Sequence, residues 1–258
     1  RLLKEASKKS DLVVFPESAN FSKALLGFLD PDSAQKYFNN LSQKNILIID
    51  SNKIPEENGL KSKIILIDSK DGVMGFYDKK LLTPGGETIP YLAKFPLLVF
   101  EHLWKNDFIS SRATFSKGGK SNILNYENNK IGVLVCSDII SPSLSRNRES
   151  GFIVNLNNLA VFNGNQLIEK QLLSMARFRA SENNKYLLIS SNFGHSYVIG
   201  PAGNIIDSTD LTGYKILTTE IVPNQVRTWY NKLGDSPILI ISFLIVLFGL
   251  KTTRSRNF

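Results

Sequence analysis

The sequence predicts a layered α/β protein whose sheets are covered by helices. Three observations carry that prediction. Short apolar runs rich in Val and Ile recur along the chain and stop at polar or turn residues. Two longer segments instead repeat their apolar residues at helical spacing. The stretches "DSKDG" and "GPAGN" read as tight hairpin turns.

In chain order, the expected strands are 12–15, 46–49, 64–67, 73–77, 131–135, 152–155, 186–190, 197–199 and 215–221. Each is an apolar, largely β-branched run of strand length. The expected helices are 32–43 and 165–183. In the second, Leu167, Ile168, Leu172, Met175, Ala176 and Arg179 fall on one face. Residues 92–129 show neither period and read as a long insertion or a lid. No internal repeat or low-complexity tract is present.

Composition sets limits on function. The chain has 258 residues, 42% hydrophobic and 21% charged, enough to bury a sizeable core. Its formal net charge is +8, from lysines spread along the chain. No basic block interleaves with aromatics and no zinc-ligand spacing occurs, so nucleic acid is not the expected partner. The charge reads as a solvated surface, with affinity for anionic lipid as the functional alternative. A single cysteine excludes an internal disulfide framework.

Both ends are unusual. "RLLKEASKKSDLVVF" reads as a chain entered in mid-helix, with no cap and no signal peptide. At the other end, "SPILIISFLIVLFGL" carries no charge and is apolar on every face. Trp229 and Tyr230 precede it, as an aromatic belt would, and Lys251, Arg254 and Arg256 follow it. The expectation is a transmembrane helix at 237–250 with a basic cytoplasmic tail at 251–258. A buried C-terminal helix is the alternative, because the run is short for a span.

Three strand ends carry polar residues. "LVVFPES" ends a strand at Pro16-Glu17, "MGFYDKK" ends one at Asp78-Lys79, and "IGVLVCSD" ends one at Cys136. Ligands gather where strands of α/β sheets emit loops. Taken singly, each has a plain reading: a solvated turn, a surface lysine, a small buried thiol. His102 and His195 read as ordinary polar or loop residues.

Taken together, "FPES", "YDKKLLTPGGE" and "GVLVCSD" resemble the nitrilase superfamily. The closest likeness within it is to the apolipoprotein N-acyltransferase family. That family shows a P-E-S strand end, a Y-x-K-x-x-L-x-P-x-G-E stretch, a C-x-E nucleophile strand and an A-R-x-R-A-x-E-N helix. The last reads "ARFRASENN" here, from Ala176. The resemblance implies an α-β-β-α sandwich over 1–225 whose first strand lies upstream of Arg1. A juxtamembrane linker at 226–236 and the 237–250 membrane helix would follow.

It also implies roles. Glu17 would be the general base, Lys79 the cation that supports the thiolate and oxyanion, and Cys136 the nucleophile. Glu87 would hold Lys79, the Ser137 N–H would donate to the oxyanion, and Asp138 would support the site. The implied reaction moves a fatty acyl chain from phospholipid, through a Cys136 thioester, to the N-terminal cysteine amine of a diacylglyceryl-modified apolipoprotein. It needs no metal or cofactor. The implied location is the bacterial inner membrane, with the catalytic domain outside the cytoplasm.

The chain departs from the family where Ser137-Asp138 replaces Tyr-Glu. Leu159 and Val161 replace an aspartate and a tryptophan, and Pro84-Gly85-Gly86-Glu87 replaces P-F-G-E. These changes put acyl-chain preference in question. Two other functions fit: a membrane-tethered amidase using water as acceptor, and an inactive lipid-binding module.

Overall fold

The structure is a computed structural model. It describes residues 2–255 except 29–30, 42–43, 58, 85, 105–114, 120, 147–148 and 212. Two sheets face each other. The first, in order β1-β2-β3-β4, comprises Leu12–Val14, Leu47–Glu56, Gly59–Asp68 and Gly72–Asp78. The second, in order β10-β9-β8-β7-β6-β5, comprises Ile123–Tyr126 (β5), Asn129–Val135 (β6), Phe152–Asn158 (β7), Leu187–Asn192 (β8), Tyr197–Ile199 (β9) and Ile205–Ser208 (β10). β1 and β2 run parallel, as do β6, β7 and β8; the other pairings are antiparallel.

Strand alternation explains the layering. Leu47, Ile49, Ile64, Leu66 and Tyr77 of the first sheet pack against Ile131, Val133, Val135, Val154 and Leu156 of the second. Side chains on the outer faces meet helices. Ile46, Ile48 and Ile67 pack with Leu3 of α1 (Leu2–Lys9) and with Phe38 and Leu41 of α3 (Pro31–Leu41). Ile153, Leu187 and Ile189 pack with Leu172, Ala176 and Ala180 of α6 (Gln166–Asn183). The result is the four-layer α-β-β-α sandwich.

Local signals set the element ends. Asn165 caps α6 by accepting from the N–H groups of Leu167 (3.0 Å) and Ile168 (3.4 Å), and Asn184, at φ 52°, closes it. The expected helix 32–43 is α3, with 42–43 outside the described residues. α2 (Phe21–Phe28) precedes α3, and α4 (Tyr91–Trp104) and the single turn α5 (Pro142–Ser145) lie between α3 and α6.

Two expectations need correction, and a third is met only in part. Residues 215–221 form no strand; β10 occupies that edge of the second sheet, and the segment has no neighbour to pair with. Residues 92–129 are not wholly irregular, because they contain most of α4 and the edge strand β5. The 105–114 part of the expected lid lies outside the described residues. The third concerns the apolar C-terminus, which lies in α8 (Ser236–Ser255) with Ile238, Leu239, Ile240, Ile241 and Phe243 exposed. Among the described residues, no helix is long and apolar enough to cross a membrane. Fourteen helical residues from 237 to 250 rise about 21 Å, against a hydrocarbon core of about 30 Å.

Before α8, α7 (Trp229–Leu233) docks on the C-terminal end of α6. Thr228 Oγ1 donates to the Glu182 carbonyl at 2.6 Å and Asn231 Nδ2 to Asn183 Oδ1 at 2.7 Å. The expected linker at 226–236 thus contains a helix anchored to the sandwich.

Candidate active site

Glu17 follows the proline that ends β1. The chain turns sharply there, with Ser18 at φ 62° and Asn20 at φ 55°. Asn20 steadies the turn by donating from its N–H to the Ser51 carbonyl at 3.1 Å and from Nδ2 to the Ser18 carbonyl at 2.8 Å. The Glu17 N–H crosses to the other sheet and donates to the Asn157 carbonyl at 3.3 Å. The residue is only 5% exposed. Burial lifts its pKa above the ordinary carboxylate value, although the Lys79 charge opposes the rise.

Lys79 follows β4, its N–H donating to the Ser62 carbonyl at 2.9 Å. Its carbonyl accepts from the Gly118 N–H at 2.8 Å. Only glycine allows that approach, since a Cβ at 118 would lie 2.1 Å from the Asp78 carbonyl oxygen. The lysine is 2% exposed. Its Nζ lies 3.0 Å from Glu87 Oε1, 2.8 Å from Glu87 Oε2 and 3.7 Å from Glu17 Oε1. Burial alone would lower the pKa of Lys79. The charges of Glu17, a Cys136 thiolate and Glu87 outweigh burial and keep it above the ordinary lysine value. Glu87 is itself fixed, because Oε2 accepts from the Thr83 N–H at 2.8 Å.

Cys136 comes from the second sheet, at the end of β6. Its φ is 45°, a left-handed conformation that side-chain-bearing residues rarely hold. The residue is 7% exposed. Burial, helped by the Glu17 charge, pushes the thiol up to about 11, while Lys79 and the Asn158 backbone N–H act in the opposite direction. That Asn158 N–H also reaches the Glu17 carboxyl. The structure therefore brings Glu17, Lys79, Glu87 and Cys136 into one electrostatically coupled cluster.

The side chains of Ser137 and Asp138 bond beside this cluster, and the Lys79 charge also acts on Asp138. They clasp the chain just after Lys79. Asp138 Oδ1 accepts from the Leu81 N–H at 2.8 Å, and Ser137 Oγ donates to the Leu81 carbonyl at 2.6 Å. Thr83 Oγ1 adds a bond to Ser137 Oγ at 3.1 Å. Asp138 Oδ2 accepts from Tyr77 Oη at 2.8 Å and from the Val135 N–H at 3.1 Å. Burial raises the Asp138 pKa against the pull of these donors. Replacing Tyr77 by Phe leaves one fewer donor on this buried carboxylate. It should cost about 1.5–3 kcal/mol in urea unfolding without altering the fold.

Sequence reasoning missed Thr83, Leu81, Tyr77 and Asn158. The first three act through bonds spanning more than 50 residues, and Asn158 acts through its backbone. Strand register supplies a signal for Asn158: β6 and β7 run parallel with Val135 opposite Leu156, so the chain leaving β7 emerges beside Cys136. His195 is bonded to Glu169 and to no member of the charge cluster, and His102 lies in the last turn of α4. Among the described residues no group of three His, Cys, Asp or Glu side chains is placed to hold a metal ion.

The family profile described as carbon-nitrogen hydrolase matches residues 1–231. This chain belongs to the carbon-nitrogen hydrolase family. Among curated proteins, it is similar to the apolipoprotein N-acyltransferase of Geobacter metallireducens, at 30% identity over 239 residues, 89% of this chain and 43% of that protein. It is also similar to the apolipoprotein N-acyltransferase of Aquifex aeolicus, at 33% identity over 220 residues, 83% of this chain and 46% of that protein. The chain thus spans about half the length of the curated relatives it matches. Among solved structures, the carbon-nitrogen hydrolase of Helicobacter pylori G27 aligns with a TM-score of 0.56 at 16% identity, covering 81% of this chain and 77% of that one. An amidase from Nesterenkonia aligns with a TM-score of 0.52 at 20% identity, covering 81% and 77%. These two likenesses establish the shared carbon-nitrogen hydrolase fold.

Proposed function

We propose that this carbon-nitrogen hydrolase chain is the catalytic part of an apolipoprotein N-acyltransferase, with Glu17, Lys79 and Cys136 as its triad. The single observation that carries the reading is the buried Lys79, shared by Glu17 and Glu87, acting on a thiol held in a left-handed strand end. In the first half-reaction Glu17 takes the thiol proton and Cys136 sulfur attacks the ester carbonyl of a phospholipid. Lys79 and the N–H of Ser137 offset the oxyanion charge. The ester C–O bond breaks, Glu17 returns the proton to the leaving oxygen, and lysophospholipid departs. In the second, the α-amine of a diacylglyceryl-modified apolipoprotein attacks the thioester and the C–S bond breaks. Glu87 keeps Lys79 in place, and Ser137 and Asp138 hold the loop that follows it.

On this reading residues 1–225 carry the chemistry. The exposed apolar face of α8 seats residues 237–250 in the bacterial inner membrane. The sandwich faces away from the cytoplasm, and 251–258 stay on the cytoplasmic side. Lys251, Arg254 and Arg256 after the apolar run, and the apolar exposure of the run itself, support that placement. No cofactor is required.

The test uses the full-length gene product in phospholipid vesicles, digested and read by mass spectrometry. A hydroxylamine-labile fatty acyl group on the Cys136 peptide is the expected result. A free Cys136 thiol that small electrophiles still alkylate would overturn it, and would favour hydrolysis of a carbon-nitrogen bond.

A further inference from the structure

A second titratable cluster stands at the same end of the parallel strands β6–β8 as the thiol, beyond their C-termini. Glu169, in the first turn of α6, accepts three hydrogen bonds on Oε1: from the His195 N–H at 2.8 Å, from His195 Nδ1 at 2.7 Å and from Tyr197 Oη at 3.3 Å. Because that oxygen only accepts, His195 Nδ1 carries the hydrogen. In its neutral form the ring presents a lone pair on Nε2, which has no hydrogen-bond partner among the described residues. This carboxylate-oriented imidazole has the arrangement of a general base, yet it makes no contact with the only cysteine.

Strand register ties it to the site. Asn158, whose N–H reaches Cys136 and Glu17, lies opposite Asn192 in the parallel β7–β8 pair. The Leu159 N–H donates to the Asn192 carbonyl at 2.9 Å. A Cβ on Gly194 would lie 2.6 Å from Leu159 Cδ1 and 3.5 Å from Glu169 Oε1, so the backbone before His195 is packed directly on the segment after Asn158. Phe193, at φ 58° and exposed, and Val161, also exposed, flank the same rim.

The acyl-transfer reading, on which this inference rests, leaves one proton unassigned. An α-ammonium that becomes an amide gives up two protons. One returns to the departing Cys136 thiolate by way of Glu17. The other needs a second acceptor, which hydrolysis by neutral water would not require. We infer that His195, oriented by Glu169, is that second base and takes the proton from the acceptor ammonium, directly or through one water. The N–C bond then forms as the C–S bond breaks, and the imidazolium loses its proton to solvent.

The test compares two acceptors with the full-length protein in vesicles of phosphatidylethanolamine and phosphatidylglycerol. One is a peptide beginning with S-diacylglyceryl-cysteine, whose amine is protonated at neutral pH. The other is hydroxylamine, which is not. In His195→Gln, acylation of Cys136 and release by hydroxylamine should match the unaltered protein, while transfer to the lipopeptide at pH 7 falls about tenfold, as set by the share of the amine that is protonated. Glu169→Gln should fall between the two, because an amide oxygen can still orient the ring. Lipopeptide transfer in His195→Gln within threefold of the unaltered protein would overturn the role. So would loss of Cys136 acylation in that variant. Failure of the unaltered protein to acylate Cys136 would instead remove the acyl-transfer reading, and the second base with it.

Discussion

Glu17→Gln is expected to slow acylation of Cys136 by roughly 1,000- to 10,000-fold at pH 7 while leaving the sandwich folded. The size follows from the thiol. With burial holding it near 11, only about one molecule in 10,000 is thiolate at pH 7 without an internal base. Glutamine keeps the shape of the side chain and cannot take the proton. The residual rate of the variant should therefore climb about tenfold per pH unit through the neutral and mildly alkaline range, as hydroxide replaces the base. It should level off somewhat below 11, because the substitution also removes the Glu17 charge that helps hold the thiol up. Single-turnover acylation measured against pH checks both the depth and the slope. An acylation rate equal to that of the unaltered protein at pH 7 would remove Glu17 from its role.

Lys79→Met is expected to injure both stability and chemistry. The lysine side chain is 2% exposed and lies between two glutamates, the Glu17 side chain being 7% exposed. Removing it leaves buried negative charge without a partner, a loss of about 3–5 kcal/mol at neutral pH. The pH dependence has a definite sign. The folded-state pKa of Glu17 already stands above its ordinary 4.5 through burial, and it rises further without the lysine. The folded state of the variant then binds more protons than the unfolded state, so stability increases as pH falls through the folded value. The gain ends near 4.5, where the unfolded chain is protonated as well. Denaturant melts between pH 5 and 8 would show it. Where the variant folds, acylation should fall a further ~100- to 1,000-fold, because the oxyanion loses its cation. Lys79→Arg should not restore it, since a planar guanidinium does not fit a compact ammonium site.

Much of this architecture was legible in the residues. Strands at 46–49, 64–67, 131–135 and 152–155 are visible because buried parallel and central strands need continuous apolar runs, which these segments have. The same rule fails at edges. β10 exposes all four of its residues and β5 buries one, so neither carries the composition of a core strand. Residues 215–221 carry it and find no partner. Glu17, Lys79 and Cys136 were legible because each breaks an apolar run at the point where the chain leaves a sheet. The Leu81 clasp was not. Its partners are a serine, an aspartate and one peptide group, and only the closed sandwich brings them together. The 237–250 run was visible as apolar, but length and packing, not composition, decide what such a helix does.

The division of the charge cluster between the two sheets has a consequence for biogenesis. Glu17 and Lys79 belong to the N-terminal sheet and Cys136 to the C-terminal one, bridged at the turn by the Glu17–Asn157 hydrogen bond. A nascent chain with only its first half folded would have a proton acceptor and a cation but no sulfur. A late intermediate with undocked sheets would have a sulfur without its acceptor. Reactivity would thus be a property of the closed seam, appearing last and vanishing first, so that immature or loosened molecules are chemically silent.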